Sequence, residues 1–304
     1  MVDNGKNGES LMTPVLTSPK TPSSLRTPFP WIIIGWVSAL LLACYGPILL
    51  ALARLWYADA DMGHGFFVPV IAGYIAWKKR DEIADIAPTP NWWGLAIMLW
   101  GALQLYVATL GAELFLSNTS LVISIIGAVL LLGGTRYLKV FAFPLFLLFF
   151  MIPIPAIIYN QLTFPLQLIA SSAAERGIDL LQIPVLREGN VLELASTKLN
   201  VVEACSGIRS LLTLTFLSLV YGYFFEKRIW VRVVLFFATI PIAIVANAGR
   251  VTLTGVVAEF NPALADGFFH EAQGWVIFMV ALVILVALHQ LIVRTANMAQ
   301  RRNA

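Results

Sequence analysis

The sequence predicts an all-α polytopic membrane protein of about eight transmembrane helices, with a small outer insertion made of an amphipathic helix and a β-hairpin. Three observations carry this. The 304-residue chain is 59% hydrophobic and 12% charged, with a mean hydropathy of +0.81, whereas a soluble domain carries about 25% charged residues. Apolar runs approaching the roughly 20 residues that cross a bilayer recur along its length. Lysine and arginine gather in alternate connections between those runs.

The elements follow in order. Residues 1–30 are rich in Ser, Thr, Pro and Gly and read as a disordered cytoplasmic tail. A signal peptide fits poorly, although "ALA" at 51–53 imitates a cleavage site, because the apolar run before it and the polar leader are both too long. The integral membrane domain is expected over 31–294. Its eight spans fall near 31–53, 64–77, 92–111, 119–134, 138–152, 206–225, 230–248 and 272–292, and the second and fifth are short enough to be tilted or re-entrant. The outer insertion covers about 153–204. There the apolar positions 158, 162, 166, 169 and 173 recur at helical spacing among Gln167, Ser171, Glu175 and Arg176, as in a helix lying on the membrane surface. Short β-prone runs then flank the turn "REGN". Residues 295–304 form a basic cytoplasmic tail.

Charge gives the orientation. With the N-terminus cytoplasmic, the inside segments hold Lys6, Lys20, Arg26, Lys78, Lys79, Arg80, Arg136, Lys139, Lys227, Arg228, Arg232, Arg294, Arg301 and Arg302, which is 14 of the 20 basic residues. With 6 acidic residues inside and 11 outside, the balance is 14 − 6 = +8 inside and 6 − 11 = −5 outside, the bias expected of cytoplasmic loops. Both ends are therefore expected in the cytoplasm. The net charge of +3 and the lack of a basic run argue against nucleic acid. Two cysteines are too few for a disulfide framework, and no His or Cys cluster has metal-ligand spacing, so neither a metal nor another cofactor is expected.

This topology brings three unusual residues to the outer face at one depth: Cys205 in "VVEACSGIRSL", Arg250 in "VANAGRVTLTG" and His270 in "DGFFHEAQGW". Neighbouring cations favour the nucleophilic thiolate of a cysteine whose ordinary pKa is about 8.5. Each residue also has a plain structural reading. A lone cysteine is usually a packing residue, as Cys44 in the first span should be. Arg250 could snorkel to the interface, although an ionisable group at membrane depth is functional by default. His270 could be solvated. Arg209 lies four residues after Cys205, on the same face of a helix, and could tune the thiol or bind a substrate carboxylate. His64 is the alternative to His270, and His289, near the opposite end, reads as structural. "CSGIRS" lacks the GxSxG pattern of a serine nucleophile elbow. Glu203 and Glu271 flank the site and could orient a histidine.

These residues sit in segments that resemble the exosortases, within the exosortase/archaeosortase group of membrane transpeptidases. The resemblance runs along most of the chain, through "HGFFVPVIAGYIAW" with "KKR" after it, "NWWGLAIMLWG", "MIPIP", "IPVLREGNVLEL", "VVEACSGIRSL", "IPIAIVANAGRVTLTG" and "HEAQGW". It implies a catalytic set of Cys205, Arg250 and His270. Arg209, His64 and Asn247 stand as candidates for binding the substrate. The implied substrates are exported proteins with a C-terminal tail of Pro-Glu-Pro signature, membrane helix and basic end, cleaved at the outer face of a bacterial inner membrane and transferred to an envelope acceptor. Membrane lipids are the other expected partner. Two further readings compete: a transporter or assembly component of exopolysaccharide export, and a thiol-dependent acyltransferase acting on lipid.

Overall fold

A computed structural model of the chain describes residues 31–195, 197–201, 207–261 and 268–302, the side chains at 31, 60, 268–271 and 300–302 aside. The helices are α1 (Trp31–Ala58), α2 (Phe67–Lys78), α3 (Arg80–Ala84), α4 (Trp93–Leu110), α5 (Leu114–Leu147), α6 (Ala156–Leu180), α7 (Ile208–Phe225), α8 (Ile229–Phe260) and α9 (Phe268–Arg302). Among the described residues six of these, α1, α4, α5, α7, α8 and α9, are long and apolar enough to cross a membrane. That architecture fits an all-α polytopic membrane protein. The expected tail at 295–304 continues α9 as far as Arg302.

The two short expected spans take other forms. Residues 64–77 fall on a 3-10 turn (Ala60–Phe66) followed by the 12-residue α2, which alone rises only about 18 Å. Residues 138–147 belong to a second limb of α5, which a short 3-10 stretch (Leu148–Met151) prolongs. Within α5 the backbone leaves the helix at Gly134 (φ 78°, ψ −171°), where Thr89 packs so closely that a β-carbon would collide with its carbonyl. Thr89 N–H donates to the Gly133 carbonyl at 3.3 Å and Tyr137 O–H to that of Ile86 at 3.2 Å, so the α3–α4 connection wraps this break.

Contacts sort into two ends. At the basic end Lys78 Nζ lies 5.4 Å from the Phe224 ring, and Arg232 Nε donates to the Glu226 carbonyl at 2.7 Å. His289 bridges Tyr221 (2.8 Å) and Glu226 (3.2 Å) there, a contact satisfied when Tyr221 O–H donates to Nδ1 and Nε2–H donates to the carboxylate. At the opposite end Trp56 Nε1 donates to the Met151 carbonyl at 3.0 Å, and His64 Nε2 lies 3.2 Å from the Phe150 carbonyl. The stretch from His64 to Lys78 therefore joins the two ends, as does the second limb of α5.

Buried apolar clusters around Leu52, Ile75, Val122, Leu147 and Phe216, and around Leu214, Val231, Leu235 and Leu285, hold helices together. Small and polar residues let other helices approach closely, as packing in lipid favours. Gly94 and Gly127 bring α4 and α5 into backbone contact. Ser117, Asn118, Thr119, Ser120 and Ser124 of α5 are buried; Tyr45 O–H shares a 2.8 Å bond with Ser124 and Gln104 Nε2 donates to Thr119 at 2.7 Å.

The outer insertion differs from the expected surface helix in its company. The stripe at 158, 162, 169 and 173 is exposed, while Thr163, Gln167, Ala170, Ser171, Ala174 and Ile178 are buried. That buried face lies on α8: Gly177 meets Thr252, Ile178 meets Gly255, and Leu166 and Ala170 line a crevice with Ala243 and Asn247. The two helices thus run side by side in one direction. After α6, β1 (Val185–Glu188), β2 (Val191–Leu194) and β3 (Lys198–Asn200) form an antiparallel sheet in that order, with Val185 opposite Leu194 and Val191 opposite Asn200. Gly189, at φ 64°, takes the first position of the two-residue β1–β2 turn, where a II′ turn needs positive φ. Leu192 and Leu194 pack with Ile178 and Val251, and Arg187 Nε reaches Glu175 at 2.8 Å, so the sheet caps α6 and α8.

Candidate active site

Arg250 anchors the region. It lies 21 residues into α8, about 31 Å along the axis, which is one hydrocarbon thickness from the helix start. It is only 8% exposed. Its guanidinium packs on α9 at Gly274, where a β-carbon would stand 3.2 Å from Cζ. One hydrogen-bonded set ties the two helices behind it. Thr254 Oγ1 is 2.9 Å from the Arg250 carbonyl and 3.0 Å from Gln273 Oε1. One hydroxyl proton cannot serve both acceptors, and Gln273 Nε2 is buried without a partner. Turning the amide over resolves both: Nε2 donates to Thr254, whose proton goes to the Arg250 carbonyl.

One turn before Arg250, Asn247 is buried against the start of α7. Gly207 caps that helix at φ 70°, and a β-carbon there would come 2.8 Å from Asn247 Cγ. The backbone of α7 can begin at this spot only because residue 207 has no side chain. Cys205, two residues earlier, lies outside the described residues, as do Glu203 and Ser206. His270 belongs to the first turn of α9, four residues before Gly274, and its side chain lies outside the description, as does that of Glu271. The described segments that flank Cys205 and carry Arg250 and His270 therefore meet at one end of the molecule.

Arg209, in the first turn of α7, does not stand alone. Its Nε donates to Asp61 Oδ1 at 2.6 Å, and Tyr159 O–H donates to Asp61 Oδ2 at 2.6 Å. Asp61 is held in turn by its own N–H, which donates to Asp59 Oδ1 at 2.8 Å at the start of the 3-10 turn. His64, in the same turn, is buried, with Nε2 on the Phe150 carbonyl and its ring 6.5 Å from that of Phe216. Its ring thus braces the 3-10 turn against the short stretch Leu148–Met151 that follows α5. Asp61 and Tyr159 had no signal of their own in the sequence beyond Asp61's place three residues before His64. Among the described residues no group of three or more His, Cys, Asp or Glu could hold a metal.

A model of the transmembrane exosortase family matches residues 56–287. The chain belongs to this family. The matched range contains Cys205, Arg250, His270, Arg209 and His64, and also Asn247. No curated protein and no solved structure matches the chain. Within this exosortase-family chain, His289 and Glu226 sit at the end opposite Arg250, which separates His289 from the candidate site.

Proposed function

We propose that this exosortase-family chain is a membrane-embedded cysteine protease and transpeptidase. It cleaves the C-terminal sorting signal of exported proteins, of the Pro-Glu-Pro type, at the outer face of the bacterial inner membrane. In this reading the chain crosses eight times, with the 3-10 turn plus α2 and the second limb of α5 as the short crossings. Both termini are cytoplasmic, and the end bearing Arg209 and Arg250 faces the periplasm. The observation that carries the reading is Arg250: a buried cation one bilayer thickness into α8, packed on Gly274 one turn from His270, with Asn247 on the same helix against Gly207 beside Cys205.

The chemistry follows from those residue types. The Cys205 thiolate attacks the scissile carbonyl, and the new C–S bond makes a tetrahedral intermediate whose oxyanion Arg250 stabilises. Collapse expels the amine, which His270 protonates, and leaves a thioester. His270 then removes a proton from the incoming amine of an envelope acceptor, or from water, as the thioester is resolved. A tail anchored by its own helix presents the bond just outside the membrane, at the depth of Arg250. Asn247 and His64 are the further residues proposed to bind the substrate.

The test is co-expression of a host protein carrying the tripartite tail with the chain as wild type or as Cys205→Ala, reading the substrate's C-terminus by mass spectrometry. Removal near Pro-Glu-Pro only with Cys205 present is expected, and the mass on the new end distinguishes hydrolysis from transfer. Equal processing in both strains would overturn the reading and favour a role in export of the polymer.

A further inference from the structure

We infer that Asp61 and Tyr159 hold Arg209 as a fixed receptor for a substrate carboxylate, making Asp61 a positioning residue that sets selectivity for an acidic side chain beside the scissile bond. This rests on the peptidase reading above. The geometry is the argument. Asp61 engages only the Nε–H of Arg209, at 2.6 Å. A guanidinium has five N–H donors in a rigid fork; among the described residues no hydrogen bond takes the four on Nη1 and Nη2, and the side chain is 44% exposed. The Nη edge matches a carboxylate bidentately. The other Asp61 oxygen accepts from Tyr159, and the residue is itself only 18% exposed.

The brace joins three elements that are distant in sequence: the 3-10 turn, the start of α6 and the start of α7. An unbraced arginine at a membrane surface samples many rotamers and loses that freedom on binding; here the loss is met in the fold, and the ligand gains it back as affinity. The second Asp61 oxygen being occupied by a phenol spreads its charge away from the guanidinium, which limits its competition with an incoming carboxylate. Arg209 follows Cys205 by only four residues in the chain, so the receptor reads a side chain close to the bond being cut.

The experiment uses the full chain in nanodiscs of neutral lipid, with synthetic tail peptides carrying Pro-Glu-Pro or Pro-Gln-Pro, and reads binding to a Cys205→Ala background and cleavage by the otherwise intact chain. The Glu peptide should bind at least about tenfold tighter than the Gln peptide, and Arg209→Gln should abolish that preference. Asp61→Asn should raise KM for the Glu peptide roughly 5-fold, change kcat little and leave the Gln peptide unaffected, as expected of an interaction made equally in ground and transition states. Tyr159→Phe should do the same more weakly, which guards against an Asp61 variant that misfolds. Equal losses on both peptides would reduce the brace to a structural tie and overturn the inference. So would undiminished Glu preference in Arg209→Gln, or an Arg209 effect seen only when anionic lipid is added, which would make the ligand a lipid phosphate. Selective, Arg209-dependent binding without any cleavage would leave the inference standing and sink the peptidase reading instead.

Discussion

The guanidinium of Arg250 packs on Gly274, with Cζ and Nη2 each 3.2 Å and Nη1 3.4 Å from where a β-carbon on that glycine would stand. The space that would hold a side chain of α9 is filled by the head of an α8 arginine. An alanine there forces a shift of a few tenths of an ångström, whereas valine or leucine must push the guanidinium away. Gly274→Ala should therefore retain most tail processing, and Gly274→Val should lose about 10²–10³ in rate, the usual cost of removing one oxyanion donor. Western-blot levels and mass spectrometry of the processed tail check this. A Gly274→Val chain that accumulates normally and processes at the wild-type rate would remove Arg250 from the chemistry.

The start of α7 depends on a second glycine for two separable reasons. At Gly207 the backbone has φ 70°, and a β-carbon would come within 2.8–3.1 Å of three Asn247 atoms. A non-glycine residue in the left-handed region costs roughly 1–2 kcal/mol, and the collision adds to that. Gly207→Ala is expected to lower the unfolding temperature in detergent, and Asn247→Ala in the same chain is expected to recover part of the loss. The recovered part is the collision with Cγ and Nδ2, and the remainder is the backbone term together with the 3.1 Å approach to the Cβ that alanine keeps. Full recovery would mean that the backbone conformation carries no strain.

Much of this architecture can be read from the sequence, and the failures have a common cause. The long apolar runs from Trp31, Trp93, Ile208, Ile229 and Ala272 became α1, α4, α7, α8 and α9 because length and hydropathy suffice to specify a spanning helix. The segment 156–180 was harder. Its Gln167 and Ser171 suggest a face turned to water, yet both are buried, Ser171 O–H 3.2 Å from the Gly189 carbonyl of the β1–β2 turn, while Ile158 and Ile169 are exposed. In a membrane the solvent is the apolar phase, so polarity no longer tells which face is outside. The pairing of Arg209 with Asp61 spans 148 residues. No local pattern encodes it, because it follows from where the 3-10 turn and α7 come to rest. Counting spans gathers Cys205, Arg250 and His270 at one end as an expectation and gives no distances; of the three, only the Arg250 side chain is among the described residues.

The stretch from His64 to Lys78 supplies the parity on which that alternation depends. α2 has only 12 residues, but together with the seven-residue 3-10 turn it covers roughly 30 Å at the rises of the two helix types. Labelling tests the side on which it ends, expected opposite the sheet. In a Cys44→Ser/Cys205→Ser background, a membrane-impermeant maleimide added to whole spheroplasts should label Glu188→Cys, on the exposed β1 strand, and spare Asp85→Cys, which lies just beyond α3. Permeabilisation should then expose Asp85→Cys. Labelling of both before permeabilisation would place the α3–α4 connection and the sheet on one side and make the number of crossings between them even.

At the far end from Arg250, acid should release a different tie. Glu226 Oε1 accepts from the Arg228 N–H at 2.8 Å, and Oε2 meets His289 Nε2 at 3.2 Å. The Arg228 amide foremost, followed against opposing desolvation by the His289 ring, the Lys227 amide and the Arg228 charge, holds the Glu226 carboxyl below its ordinary value of 4.5. Tyr221 and Arg232 complete the surroundings through His289 and the Glu226 carbonyl. For an acid whose pKa is depressed on folding, the unfolded chain takes up the proton first as pH falls. The stability Glu226 contributes is therefore present above pH 4.5 and is lost as pH drops through the lower folded-state value. Glu226→Gln keeps an acceptor for the Arg228 amide but carries no charge. Its unfolding temperature should lie below that of wild type at pH 7, and the gap should close as the buffer is taken below pH 4.5. Calorimetry in a single detergent across that range measures it. A constant gap at every pH would assign the effect to packing, and no gap at all would mean that the tie adds nothing to the fold.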